Sequence, residues 1–145
     1  DPYYPEVKRT VKELSLEHHV IYTGIVPEKE LVALYQTATA YVFPSLYEGF
    51  GLPPLEAMRC GTPVVASKVS CIPEICGEAS AIYFDPYDPE DISNSIRKVL
   101  LDENLQKELR ECGLKHSLKF SWEKMAQKTL EIYTEILESL PKKKK

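Results

Sequence analysis

Two glutamates flank a short stretch rich in glycine and proline, and their side chains could bind a ligand that carries hydroxyl groups. Glu48 directly precedes Gly49, and Glu56 follows eight residues after Glu48, just beyond a Pro-Pro pair. A carboxylate offers acceptor oxygens and no donor, so a pair of vicinal hydroxyls is a natural neutral partner. Taken alone, Glu56 could simply stabilise a helix N-terminus, and Glu48 could be a solvated turn residue. Together with the glycines, the two acids favour a ligand role.

The stretch between the two acids has the composition of a phosphate cradle. Gly49 and Gly51 allow a tight turn and let a ligand approach the backbone without meeting a Cβ atom. The N–H groups of Gly51 and Leu52, at the start of a helix, would point at an anion such as a diphosphate. Carboxylates would repel phosphates, so each acid is expected to hold a diol on its own side of the cradle. The pattern therefore predicts a site for a nucleoside diphosphate sugar.

Strands and helices alternate along the chain, and their order predicts the fold class. Short apolar runs rich in β-branched and aromatic residues predict strands that are covered on both faces, at 20–23, 40–44, 63–67 and 81–84. Helical periodicity predicts helices at 27–38, 53–61, 72–77, 88–102, 103–112 and 121–140. We therefore expect an α/β fold with a doubly wound, Rossmann-like parallel sheet and C-terminal helices.

In such a sheet, ligands bind beyond the carboxyl ends of the strands. The residues that follow the predicted strands are Thr23–Gly24, 44–52, 67–71 and Asp85. The stretch with the two glutamates thus lies on the expected binding edge. The same rule keeps open a signalling domain with a phosphorylatable Asp85, although its Asp-Pro neighbourhood is more typical of turns and helix caps.

Composition narrows the range of functions. The chain has 145 residues, 43% of them hydrophobic, and a net charge of −4, which fits one domain and gives no support to nucleic-acid binding. Its four cysteines form no CxxC pair and fit no zinc spacing, so we predict no metal site. We interpret them as reduced, mostly buried thiols of a cytoplasmic protein. No apolar run is long enough to span a bilayer, and the first residues do not resemble a signal peptide.

The last predicted helix carries the clearest apolar stripe. Ser121 is its expected N-cap, and Trp122 is expected to anchor it to the core. The other members of the stripe are Met125, Ala126, Leu130, Tyr133, Ile136, Leu137 and Leu140. Residues 141–145 are interpreted as a solvated lysine tail, with attraction to an anionic membrane surface as the alternative.

The segment FPSLYEGFGLPPLEAMRCGTPVVASKVSCIPEICGEASAIYFDPYDPEDI, residues 43–92, carries a family resemblance. It resembles the donor-binding half of retaining family-4 glycosyltransferases of GT-B fold, and the likeness extends over nearly the whole chain. Glu48 and Glu56 correspond to the E-x7-E signature of that family. The pattern is most similar to mannosyltransferase-like members.

The resemblance implies a role for each matching position. Glu48 would contact the hydroxyls of the donor sugar and is the catalytic candidate, while Glu56 would hold the ribose diol. The segment at Thr23, Gly24 and Val26 would lie near the base and the phosphates. The donor-binding residues implied in this way are Thr23, Gly24, Val26, Ser45, Glu48, Gly49, Phe50, Gly51, Leu52 and Glu56.

The resemblance also implies the reaction and the domain context. A sugar would pass from a GDP- or UDP-linked donor to an acceptor hydroxyl with retention of configuration, without a metal or other cofactor. Residues 1–140 would form the donor-binding domain without its first strand or strands, where the family carries an Arg and a Lys that neutralise the diphosphate. An N-terminal acceptor domain would belong to the full-length protein, at the cytoplasmic face of a membrane or free in the cytoplasm. We therefore expect the isolated chain to be inactive. A non-catalytic nucleotide- or sugar-binding module is the alternative.

Overall fold

A parallel sheet of three short strands organises the larger part of the molecule. The computed structural model describes residues 4–140. They divide into one unit that ends at Leu34 and a second that begins at Tyr35. In the second unit the strands lie in the order β1 (Tyr41–Phe43), β2 (Val64–Ser67) and β3 (Ala81–Phe84). Within the described residues the helices are α1 (Pro5–Glu13), α2 (Glu28–Thr37), α3 (Leu52–Arg59), α4 (Ile72–Cys76), α5 (Pro89–Leu101), α6 (Glu103–Ser117) and α7 (Trp122–Ser139).

The central strand explains the continuous apolar run in its sequence. All four residues of β2 are buried, and both of its neighbours pair with it in parallel, with Val65 opposite Val42 and Ile82. A parallel strand covered on both faces needs apolar side chains in either direction. The α/β class and the strands expected at 40–44, 63–67 and 81–84 are thereby confirmed.

The core joins one face of the sheet to α5 and α6. Val65, Phe84, Val99 and Leu109 form a buried cluster, which places the middle of the sheet against both helices. On another side, α3 packs against β1, β2 and α6. The sheet and the helices therefore hold the carboxyl ends of the strands in a fixed arrangement.

Helix α6 is longer than the sequence predicts. The predicted helix ends at Cys112, just before Gly113, but the helix continues to Ser117. Gly113 is buried, and a Cβ atom there would lie 3.1 Å from Cγ of Met58 in α3. The glycine thus allows close packing of two helices, and that requirement is invisible to the local sequence pattern.

Helix α7 forms as predicted, and the Ser121 hydroxyl oxygen accepts a hydrogen bond from the Lys124 N–H at its N-terminus. The expected packing of its apolar stripe is wrong, because no residue of α7 is buried. Trp122 is 69% exposed and does not anchor the helix to the core. Periodicity records which residues share a helix face, but it does not determine whether this structure covers that face.

The first unit contains α1, the segment that follows it and residues 28–34 of α2. In α1 the buried residue is Val11. The ammonium group of Lys8 lies 5.5 Å from the centre of the Tyr22 ring. The strand expected at 20–23 is wrong, because these residues have no regular secondary structure and Ile21 is 87% exposed. A strand requires a hydrogen-bonded partner, and the described residues of this unit contain no other strand to supply one.

Two further expectations concern burial and the tail. All four cysteines are free thiols, but the expectation that most are buried is wrong, since Cys76 is buried and the other three are partly exposed. The lysine tail at 141–145 lies outside the described residues. Among the helices of residues 4–140, none combines the length and the apolar character needed to cross a bilayer.

Candidate functional site

The segment that follows β1 carries the first of the two glutamates. Glu48 is partly buried, and one oxygen of its carboxylate accepts a hydrogen bond of 2.7 Å from the Ser45 hydroxyl. A hydrogen bond to a carboxylate is stronger than one between neutral groups, so it restricts the orientation of the Glu48 side chain. The structure thus brings together two residues expected to bind the donor.

The backbone of the same segment is held by side chains that follow β2. The Ser70 hydroxyl donates to the Glu48 carbonyl at 2.9 Å, and the Cys71 thiol lies 3.2 Å from that oxygen. The Cys71 thiol also lies 3.4 Å from the Phe50 carbonyl oxygen. We name residues 48–51 the Glu48 loop. Its shape depends on contacts with residues more than 20 positions later in the chain.

A ring contact supports the loop from the end of α6. The ring of Phe50 meets that of Phe120 edge to face, with centroids 6.0 Å apart, and Phe120 lies 5.6 Å from the ring of His116. The Nε2 atom of His116 donates to the Ile75 carbonyl at 2.8 Å. The loop is therefore connected to α4 and α6 by aromatic and polar contacts.

The start of α3 presents backbone donors. Gly51 precedes the helix in the left-handed conformation, with φ 96°, and no side chain caps the N-terminus. Leu52 is 44% exposed at the first position of the helix. The first N–H groups of a helix have no partner within the helix, and the helix dipole makes this end favourable for an anion. Pro53 and Pro54 follow and have no N–H group, so the donors at this end are those of Gly51 and Leu52, and their role as a phosphate cradle stays a prediction.

The two glycines of the loop differ in what they require of the backbone. At Gly51 the positive φ disfavours any residue with a Cβ atom. At Gly49 a Cβ atom would meet no other atom within 4 Å, and the protein's own packing does not demand a glycine there. A glycine that neither φ nor packing explains is consistent with a surface that another molecule approaches closely.

The second glutamate lies on the exposed side of α3. The pKa of the Tyr35 hydroxyl is raised, mainly because the group is buried and secondly because of the negative charge of the Glu56 carboxylate. The pKa of the Tyr41 hydroxyl in β1 is also raised. Burial is the largest cause, the neighbouring Tyr35 is the second, and the carboxylates of Glu56 and Glu48 make smaller contributions. Both carboxylates therefore lie within electrostatic reach of Tyr41. Both acids thus act on the same tyrosine of β1.

Three of the expected donor-binding residues belong to the first unit. Thr23 and Gly24 are exposed and Val26 is partly buried, and Gly24 has φ 63°. Their expected place at the edge of the sheet depended on a strand at 20–23 that does not form. Their role in binding the donor stays a prediction.

Asp85 follows β3 and fits its interpretation as a turn residue. Its carboxylate accepts a hydrogen bond from the Tyr87 N–H at 2.9 Å, and its own N–H donates to the Asp91 carboxylate at 2.7 Å. Asp88 caps α5 by accepting from two backbone N–H groups. These acids thus order the turn between β3 and α5. Within residues 4–140, no group of three or more His, Cys, Asp or Glu side chains is arranged to hold a metal ion.

Sequence reasoning missed the residues that support the site from outside the E-x7-E stretch. Ser70 and Cys71 hold the Glu48 loop, Phe120 contacts Phe50, and Tyr41 lies near both acids. The position of Ser70 and Cys71 after a predicted strand was the only signal that could have identified them. No local pattern connects Phe120 with Phe50, which precedes it by 70 residues.

Comparison with known sequences gives a consistent family match. Residues 2–133 match the family described as Glycosyl transferases group 1. The serotype-specific mannosyltransferase WbdA of Escherichia coli is 44% identical over 120 residues, which are 83% of this chain and 15% of that protein. The chain therefore spans a small part of the length of this relative.

Solved structures show the same fold. A sucrose-phosphate synthase from Thermosynechococcus elongatus is 30% identical and superimposes with a TM-score of 0.84, over 92% of this chain and 34% of that one. Anabaena HepE in complex with UDP is 23% identical, with a TM-score of 0.83 over 92% of this chain and 37% of its own. The expected Rossmann-like architecture, the C-terminal half of a GT-B fold, is confirmed.

Proposed function

Because the chain belongs to the group 1 glycosyl transferases, we propose that it is the donor-binding part of a retaining enzyme. The reaction transfers a sugar from a nucleoside diphosphate sugar to an acceptor hydroxyl. One observation supports this proposal: along the chain, Glu48 precedes and Glu56 follows the N-terminus of α3, which no side chain caps. That arrangement matches a ligand with hydroxyls at both ends and phosphates between them.

The residues of the loop have separable tasks in this proposal. The Glu48 carboxylate, oriented by Ser45, accepts hydrogen bonds from hydroxyls of the donor sugar. The N–H groups of Gly51 and Leu52 face the diphosphate, where the helix dipole stabilises the negative charge that grows on the leaving group. Glu56 accepts hydrogen bonds from the ribose diol. The open space beside Gly49 lets the sugar approach the backbone.

The chemistry follows from the family resemblance. We propose that the anomeric configuration is retained and that the reaction needs no metal ion, so backbone donors and cationic side chains carry the charge of the leaving diphosphate. The acceptor is held by a further domain, and this chain alone binds the donor without transferring the sugar. We place the protein in the cytoplasm or at the cytoplasmic face of a membrane.

The relatives suggest which donors to test first. WbdA is a mannosyltransferase and is 44% identical to this chain, which supports a mannosyl donor. HepE shares the fold and its structure contains UDP, so uridine nucleotides belong in the same test. We propose a GDP- or UDP-linked hexose, with GDP-mannose as the first candidate.

Isothermal titration calorimetry of the chain with UDP, GDP, ADP and their sugar conjugates tests the proposal. We expect one nucleotide series to bind, with the sugar conjugate binding more tightly than the bare nucleotide. The variant Glu56→Ala should weaken both ligands about tenfold, because a hydrogen-bonded charged acceptor is lost. Glu48→Ala should remove only the additional affinity of the conjugate.

A matched control is Glu108→Ala, which removes an exposed carboxylate of α6 and should leave all affinities unchanged. Failure of every nucleotide to bind would contradict the proposal for this chain. Equal losses in both glutamate variants, for nucleotide and conjugate alike, would contradict the division of roles between Glu48 and Glu56. Tight binding of nucleotide and conjugate with no difference between them would favour a nucleotide-binding module without transfer chemistry.

A further inference from the structure

Two side chains that follow β2 are aimed at the backbone of the Glu48 loop. The Ser70 hydroxyl lies 2.9 Å from the Glu48 carbonyl oxygen, and the Cys71 thiol lies 3.2 Å from the same atom. The thiol is also 3.4 Å from the Phe50 carbonyl oxygen. We name Ser70 and Cys71 the brace. It contacts two carbonyls of the loop and neither glutamate carboxylate.

The planarity of the peptide unit gives this contact a consequence. In a trans peptide the N–H group points away from the C=O group of the same unit, and the described chain has no cis peptide bond. When the brace fixes the Glu48 carbonyl, the Gly49 N–H is directed to the opposite side. When it fixes the Phe50 carbonyl, the Gly51 N–H is directed away from the brace as well. The contacts of the brace with these two carbonyls therefore orient the Gly49 and Gly51 N–H groups, which point away from the brace.

The backbone of Ser70 is strained, which argues for a specific use of its side chain. Ser70 has φ 53°, a left-handed conformation that glycine adopts more readily than any residue with a Cβ atom. A glycine there would relieve the strain, but it could not donate to the Glu48 carbonyl. Strain of this kind is typical of sites where the surrounding structure needs a particular geometry.

We propose that Ser70 and Cys71 are positioning residues that aim the Gly49 and Gly51 N–H groups at the donor. This inference rests on the proposed function for the identity of the ligand. The role of the brace in this proposal is to act through the loop backbone, whose carbonyls it contacts. Phe120, which packs on the Phe50 ring, supports the same loop from another side.

Nuclear magnetic resonance of the free chain tests the brace without any ligand. The chain has six glycines, so the Gly49 and Gly51 amide signals can be followed individually. In the wild type we expect backbone order parameters near those of rigid backbone, about 0.8. In the double variant Ser70→Gly/Cys71→Ala they should fall below about 0.6, while Gly113, buried in α6, stays rigid. Unchanged order parameters would overturn the proposal.

Binding and stability together separate positioning from a general structural role. Ser70→Gly and Ser70→Ala both remove the hydroxyl, but only the glycine relieves the left-handed strain, so Ser70→Gly should have the higher melting temperature. Both should lose affinity for the sugar nucleotide equally, by about tenfold, which corresponds to about 1.4 kcal/mol. Affinities that follow the melting temperatures instead would overturn the proposal.

Two further variants complete the design. Cys71→Ser keeps a donor at this position and should bind within about threefold of the wild type, whereas Cys71→Ala should bind more weakly. Ser15→Gly relieves the same kind of strain at Ser15, which has φ 55°, and should leave affinity unchanged. If the wild type binds no nucleotide sugar, the proposed function is contradicted, but the order parameters still test whether the brace orders the Gly49 and Gly51 N–H groups. If the wild type binds and the brace variants bind equally well, the brace fails alone.

Discussion

The two glutamates lie eight residues apart, yet different physical interactions hold them in place. Glu56 is carried by α3, whose other side is core: Ala57 and Met58 are 0% and 1% exposed. Glu48 lies in a loop that is held by hydrogen bonds from Ser45, Ser70 and the thiol of Cys71. Apolar burial fixes the position of one acid, and a small set of polar contacts fixes the other.

This difference predicts that the two regions affect different properties: α3 affects the free energy of unfolding, and the Glu48 loop affects the geometry of the binding site. Burial of α3 contributes to the free energy of unfolding of the whole unit, so Glu56 is in place whenever the unit is folded. A few side-chain hydrogen bonds contribute little to that free energy, but they decide the local geometry of a loop. Substitutions beneath Glu56 should therefore lower the free energy of unfolding, and substitutions around Glu48 should alter binding while that free energy changes little.

The largest expected effect comes from the core beneath Glu56. Met58→Ala should lower the free energy of unfolding by about 2–5 kcal/mol, because a buried side chain is replaced by a cavity. Denaturation with urea, followed by circular dichroism, measures this change. The chain has one other methionine, Met125, which is 54% exposed on α7 and provides the matched control. Similar losses for Met58→Ala and Met125→Ala would refute the assignment of α3 to the core.

An intermediate effect is expected where the two regions meet. Gly77 has φ 78°, and a Cβ atom there would lie 2.5 Å from Cε1 of His116, whose ring neighbours that of Phe120. Gly77→Ala should lower the free energy of unfolding by about 2 kcal/mol, from left-handed strain and displacement of the ring. Displacement of the His116 ring should also move Phe120 and, with it, the Phe50 ring of the Glu48 loop, so the affinity for the sugar conjugate should fall.

Gly61→Ala is the control for this change. Gly61 has φ 80°, but the nearest atom to its Cβ position, Cδ1 of Leu114, is 4.0 Å away. Gly61→Ala should lower the free energy of unfolding by about 1 kcal/mol, because of backbone strain alone, and should leave the affinity for the sugar conjugate unchanged. Thermal unfolding and calorimetric titration of both variants give the two readouts. Equal effects of the two substitutions on binding would show that the loop does not depend on the His116–Phe120 contact.

The smallest effect on stability is expected at Ser45. Ser45→Ala removes the hydrogen bond to the Glu48 carboxylate and should change the free energy of unfolding by less than about 1 kcal/mol. The freed carboxylate should bind the sugar conjugate about 3- to 10-fold more weakly, with the bare nucleotide unaffected. Ser93→Ala, an exposed position on α5, is the control. A loss of nucleotide affinity as large as that of the conjugate would contradict a role limited to the sugar.

Much of the fold was predictable because its signals are local. The strands β1, β2 and β3 carry continuous apolar runs, and Ser121 caps α7 through an interaction within one helical turn. The E-x7-E stretch was likewise identifiable, since a strand end, two glycines and a helix start lie within 14 residues. These features depend on residues that are close in sequence.

The errors have a shared cause in contacts between distant residues. Gly113 was expected to lie beyond the end of α6, but it lies inside the helix, where the absence of a side chain leaves room for Met58 of α3. Trp122 was expected in the core, yet no part of the described structure buries it. The run at 20–23 has the composition of a strand but no strand to pair with in its own unit.

The sequence by itself determined the α/β class, the positions of β1, β2 and β3 along the chain and the pair of acids that flank a helix start. Only the tertiary structure decided how the loop between them is held, through Ser70 and Cys71 from beyond β2 and Phe120 from beyond α6. Helix periods and strand alternation depend on backbone geometry, which is the same wherever it occurs. Hydrogen bonds and ring contacts between distant residues form only after the sheet has brought the ends of its strands together.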